Sequence, residues 1–128
     1  MHQLNKAALD FDSRTRAIRT EDITLKRLDD LIETIGGNRL FLKVDVQGHE
    51  KDVLEGAAGI LHKVVGIQLE LPIVRLYQST WRLSEALVYM ENLGFVPSQI
   101  TPVNFQADDP VSFVEIDTIF RRTNANYD

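Results

Sequence analysis

Apolar positions fall into two rhythms along the chain, one helical and one alternating. Leu28, Leu31, Ile32 and Ile35 stand at helical spacing and Gly36–Gly37 follows them, which predicts a short helix stopped by glycine. Ile23, Thr24 and Leu25 predict a short strand ahead of it. Leu40–Val46 is short, mostly apolar and β-branched at its end, as a strand buried on both faces is. Gln47–Gly48 then turns the chain, and the stripe Val53, Leu54, Ala57, Ala58 and Leu61 predicts a helix from about His49 to His62. Glu50 in its first turn and Lys63 near its end both suit the helix dipole. Val64–Leu71 alternates cleanly, with Val65, Ile67, Leu69 and Leu71 on one face and Gly66, Gln68 and Glu70 on the other, and Pro72 closes it. Ser79 or Thr80 can cap the next helix, which carries Leu83, Ala86, Leu87, Met90 and Leu93 and ends at Gly94. Phe95–Phe105 is extended and interrupted by Pro97 and Pro102. Asp108–Pro110 makes a turn, and Val111–Arg121 is dense in strand formers.

The order helix, β, helix, β, helix, β, β begins as a parallel sheet with right-handed crossovers and ends as an antiparallel hairpin. The expected fold is therefore α/β: a mixed sheet of about four strands, three parallel-type connections giving way to the hairpin, with helices on its faces. The prolines place the first hairpin strand at an edge. Residues 1–22 read as a polar lead-in, 23–122 as the α/β domain and 123–128 as a tail.

Composition narrows the function classes. The 128 residues contain 44% hydrophobic and 26% charged residues, which suits one globular domain. The absence of Cys excludes disulfides, thiolate metal sites and a cysteine nucleophile. No apolar run approaches the ~20 residues of a membrane span, and the first twenty residues contain no secretion-signal block, so a cytoplasmic protein with no membrane contact is expected. A net charge of −5 speaks against nucleic acid as a partner. The local basic bias at Arg14, Arg16, Arg19, Lys26 and Arg27 reads as a solvated segment.

Ligands of open α/β sheets bind beyond the carboxyl ends of the parallel strands. Asp45 and Glu70 lie near those ends in two successive strands, so neighbouring strands would open both carboxylates into one crevice. His49 and Glu50 begin the helix that leaves the same edge, and Gly48 keeps the backbone close and the space clear. Each has a structural alternative. Asp45 can cap the turn, Glu50 can serve the helix N-terminus, and His49 can be a surface or capping histidine. Glu70 is harder to assign that way, because a carboxylate ending an apolar strand needs water, a partner or a ligand. Asp117 poses the same problem, and Lys43 is a candidate ion-pair partner for Asp45 or Asp117. His2, His49 and His62 form no zinc-protease pair, no serine sits in a glycine-flanked elbow, and there is no GxGxxG or phosphate loop. No metal site is expected, although Asp45 and Glu70 could hold a Mg²⁺ through waters. Gly56 and Gly59 fall on a helix and read as packing residues.

The segments RLDDLI, FLKVDVQGHEKDVLEGA, IQLELPIVRLYQ, ENLGF and VEIDTIFRR together resemble the FkbM-type methyltransferases, from about Leu28 to Arg122. The resemblance implies a class I, Rossmann-like fold using S-adenosylmethionine, usually for O-methylation. The strands here would be the fourth to seventh of its seven. The glycine-rich turn and the acidic ribose-binding residue of that family's first half have no counterpart, so no cofactor-binding residues are assigned. This implies a C-terminal half that binds cofactor weakly or not at all when alone. On this reading Asp45 lines the donor–acceptor crevice, Glu70 orients the acceptor or acts as base, His49 is a second base candidate, and Gly48 and Glu50 contact a small-molecule or glycan hydroxyl substrate. Leu40–Val46 would lack its usual neighbour, leaving an open edge for the lead-in, a second copy of the chain, or a separate chain carrying the first half. The alternative function is a non-catalytic remnant or subunit acting by association through that edge.

Overall fold

The computed structural model describes residues 19–31, 34–75, 80–106 and 108–123. Most of the expected lead-in and tail, Ser79 and part of the segment after Pro72 lie outside them. Four strands form one sheet: β1 (Leu40–Val44), β2 (Val64–Pro72), β3 (Phe95–Gln106) and β4 (Asp109–Arg122). Their spatial order is β1-β2-β4-β3. Only β1 and β2 pair in parallel; β4 runs antiparallel to both β2 and β3. The expected run of three parallel-type connections is thus corrected to two crossovers, because β4 folds back into the gap between β2 and β3. β3, like β1, is an edge strand, and Pro97 and Pro102 cost no ladder bond on its outer side.

The helices are shorter than the periodicity suggests. α1 spans Glu50–Gly56 and passes into a 3-10 helix over Ala58–Lys63. Gly56 and Gly59 explain the change. Residues 27–29 cross directly over them, and a Cβ on Gly59 would lie 2.9 Å from Asp29 Cβ. Arg27 Nη2 donates to Glu55 O at 2.9 Å, taking a helix-end carbonyl. The tighter winding shifts the phase, so Leu54, Ala57, Ile60 and Leu61 are buried while Ala58, expected on the stripe, is exposed. The expected helix at Leu28–Ile35 appears as a single 3-10 turn, Asp29–Leu31, within the described residues. The expected strand Ile23–Leu25 is not formed. Ile23 and Leu25 are exposed and have no strand to pair with among the described residues.

α2 (Leu83–Asn92) begins three residues beyond Thr80. Its first turn is fixed by Glu85, which accepts from Arg82 N at 2.7 Å, so Thr80 is not the cap. The core lies between one face of the sheet and both helices: Val44, Ile67, Leu69, Leu71, Ile116 and Phe120 meet Leu54, Ile60, Ala86 and Met90. Arg122 ties the sheet end to the 3-10 helix. It donates through Nε to Val64 O at 2.8 Å and through Nη2 to Leu61 O, with its guanidinium 4.6 Å from the Phe95 ring centre. Arg122→Met keeps the stem but strands two carbonyls. It should cost about 2–3 kcal/mol in urea denaturation, where an unchanged midpoint would show those bonds to be idle. No helix among the described residues is long and apolar enough to cross a membrane.

Candidate functional site

The face of the sheet opposite the core carries the chemistry. Antiparallel register sets Glu70 opposite Asp117 and Pro72 opposite Glu115, so the β2 and β4 carboxylates share that face at the end of the parallel pair. Parallel register runs Lys43 to Gln68 and Val44 to Leu69, which brings Asp45, just past β1, beside Glu70. Like charges placed opposite one another destabilise a sheet, so this arrangement needs a reason other than packing.

Glu70 is the most perturbed group. Burial first, then the charges of Glu115, Asp45 and Asp117 and a hydrogen bond with Glu115, raise its pKa from the ordinary 4.5 to about 7. Glu70 therefore keeps its proton well above the ordinary carboxylate range and donates it to Glu115 in a hydrogen bond. Asn104 Nδ2 donates to Glu115 Oε2 at 2.9 Å from the edge strand, and Gln68 Nε2 donates to Asp117 Oδ2 at 3.1 Å. Two amides thus hold the flanking carboxylates in place around the one that titrates.

The same strand tips enclose a shallow concavity lined by Gln47, Gly48, Glu50, Glu70, Pro72, Thr80 and Glu115. Gln47 and Gly48 both adopt positive φ, 51° and 102°, which turns the chain sharply at the rim and favours glycine at the second position. Glu50 is 3% exposed and its Oε1 accepts from Gly48 N at 3.0 Å, so it braces this turn.

The residues singled out from sequence are therefore distributed as follows. Glu70, Gly48 and Glu50 line the concavity. Asp45 is exposed at its margin, acting on Glu70 through its charge. His49 is exposed at the N-terminal end of α1, where its Nδ1 is 2.7 Å from Asp52 Oδ2. Lys43 forms no ion pair with Asp45 or Asp117; Gln68 takes the place at Asp117 instead. The sequence expects loops near the site at Ile73–Thr80 and Asn104–Val111; Thr80 and Asn104 do lie there, Asn104 within β3 rather than a loop, whereas Glu115 is not singled out. Alternation along β4 could have placed Glu115 on the face of Asp117, but only the register brings it to Glu70.

A model of the methyltransferase FkbM domain matches residues 2–97 of the chain. The chain belongs to that methyltransferase family. No curated protein and no solved structure matches it. The matched stretch starts within the expected lead-in and ends at the beginning of β3. It thus includes Asp45, Gly48, Glu50, Glu70 and Thr80, while Asn104, Glu115 and Asp117 lie beyond it. FkbM membership implies S-adenosylmethionine as methyl donor. The described residues do not fit that group. The concavity leaves room for about 10 Å³, on the order of a single water and far under the ~300–1,000 Å³ of ordinary ligand pockets. The β1–α1 turn offers one glycine, at Gly48, rather than a glycine-rich phosphate- or nucleoside-binding loop.

The raised pKa also makes stability depend on pH. The folded chain keeps the Glu70 proton that the unfolded chain releases between about pH 4.5 and 7, so stability falls as pH rises through that window. Glu70→Gln removes the effect. At pH 8 the variant should be about 1–2 kcal/mol more stable than the wild type, allowing for solvent screening of a partly open site, with no gain at pH 4. Melting curves at the two pH values check this; equal gains at both would rule out titration as the cause.

Proposed function

We propose that the described residues form the acceptor side of a methyltransferase site that methylates a hydroxyl of a small molecule or glycan, using S-adenosylmethionine bound by residues other than these. The observation that carries this reading is the Glu70–Glu115 pair at the carboxyl edge of the parallel strands, beside a concavity sized for one small group. A group titrating near 7 is a suitable base for neutral solution. Ionised Glu70 takes the proton of an acceptor hydroxyl at the rim of the concavity. Glu115 is held for this by Asn104, and the Gln47–Gly48 turn braced by Glu50 keeps the approach narrow. Asp45 and Asp117 keep the proton affinity of Glu70 high. His49, engaged with Asp52, is the weaker base candidate.

The reading predicts that the chain, supplied with the N-terminal half of an FkbM-family enzyme, transfers tritium from S-adenosyl-[methyl-³H]methionine to members of a panel of sugars, amino sugars and amino alcohols. Alone, it should show little or no heat of binding with S-adenosylhomocysteine. No transfer to any acceptor, with the halves shown to associate, contradicts it.

A second reading rests on β1, whose outer edge pairs with no other strand among the described residues. That edge suits association with a second copy or with a chain carrying the first half. If association alone is the function, the reconstituted pair assembles and transfers nothing.

A further inference from the structure

Thr80 is 4% exposed and its Oγ1 has no hydrogen-bond partner among the described residues. It lines the same concavity as Glu70 and Glu115. A buried hydroxyl without a partner costs folding free energy that an isosteric valine would avoid. Thr80 does not cap α2, and nothing among the described residues uses its oxygen. A ligand atom in the concavity would.

The charge around that oxygen says what kind of atom. Glu50, Glu70 and Glu115 line the concavity, Asp45 and Asp117 add their field from its margin, and no Lys, Arg or His among the described residues lines it. Phosphate or carboxylate would meet only repulsion. A neutral hydroxyl could donate to a carboxylate but would gain little from the surrounding field, whereas a cation gains from every group present. A metal ion fits less well, because among the described residues no three carboxylate or imidazole groups are gathered as a metal needs. An ammonium group has three donors and no acceptor, which matches two carboxyl groups and one hydroxyl oxygen.

We infer that the concavity seats an organic ammonium group on Glu115, Thr80 Oγ1 and one oxygen of Glu70, whose other oxygen is left for the acceptor hydroxyl, so that the molecule methylated here is an amino alcohol, amino sugars included. This rests on the acceptor-site reading above and narrows its substrate class. Thr80 is then a specificity residue rather than a structural one.

The test titrates the full chain at pH 7.5 and matched ionic strength with ethanolammonium chloride, ethylene glycol or sodium phosphate. The side-chain carboxyl ¹³C resonance of Glu70 is followed. Ethanolammonium should give a saturable shift with a dissociation constant at least ten-fold below that for ethylene glycol, and phosphate should give none. Thr80→Val should weaken ethanolammonium binding about ten-fold while its melting temperature equals or exceeds that of the wild type; a structural threonine would instead lower it. Equal or tighter binding of ethylene glycol or phosphate, no saturable shift with any probe, or unchanged affinity in Thr80→Val overturns the inference. The acceptor-site reading is decided separately by tritium transfer. Transfer that depends on Glu70 in the absence of ethanolammonium binding removes the ammonium class and leaves that reading standing.

Discussion

Glu70→Gln is expected to lower methyl transfer by the reconstituted enzyme about 100-fold or more, the usual contribution of a positioned base. Glutamine keeps the size of the side chain and can still donate to Glu115, but it cannot take a proton. The loss should fall on turnover more than on cofactor affinity, since no described residue near Glu70 forms a cofactor seat. The wild-type rate should rise with pH to a plateau, with its midpoint near 7 where Glu70 ionises. Glu115→Gln removes a neighbouring charge and a hydrogen-bond acceptor, both of which raise the Glu70 pKa, so it should move that midpoint to lower pH. Single-turnover rates across pH 5–9 measure all three enzymes. A Glu70→Gln rate within two-fold of the wild type would remove Glu70 from the chemistry.

Phe120→Ala should be the most damaging change to the fold. Phe120 is fully buried and sits on the central strand β4, opposite Ile67 of β2 on one side and Pro97 of β3 on the other. Its ring faces the helices with Met90 and Leu69 in the same core. Removing a buried aromatic ring leaves a cavity bounded by strands already fixed by pairing, and such changes cost about 3–5 kcal/mol. That is a large part of the total stability of a domain this size. The urea midpoint should fall steeply or the chain should fail to fold. An unfolding free energy within about 0.5 kcal/mol of the wild type would show that the ring is not a core element.

The parts legible in the sequence are those governed by local pattern. Ile67–Leu71 alternates because one face meets the helices and the other does not, and there the faces are found as read; at the strand's start a register shift against β1 buries Val64 and exposes Val65, which the alternation assigns to the core face. Pro97 and Pro102 identify an edge strand because proline removes a ladder donor. Glu70 stands out because nothing apolar accounts for it. What stayed hidden depends on partners distant in sequence. The insertion of β4 between β2 and β3 involves residues about fifty positions apart, and a shift of one residue would turn Glu115 to the opposite face. The close passage of residues 27–29 over Gly56 and Gly59 converts the end of α1 to 3-10 geometry, which helical spacing cannot reveal. Thr80 carries the signature of a helix cap, yet Glu85 and Arg82 fix the helix start three residues later. Its hydroxyl is free for the concavity because the local role went elsewhere.

The account turns on the raised proton affinity of Glu70 beside Glu115 where β2 and β4 meet. Carbon-13 NMR of the wild-type Glu70 side chain, recorded from pH 3 to 9, addresses it without any assumption about substrate. A midpoint near 7, lowered in Glu115→Gln, is the predicted result. A midpoint near 4.5 that is insensitive to Glu115 would mean that the pair does not exist in solution, and the proposed base would go with it.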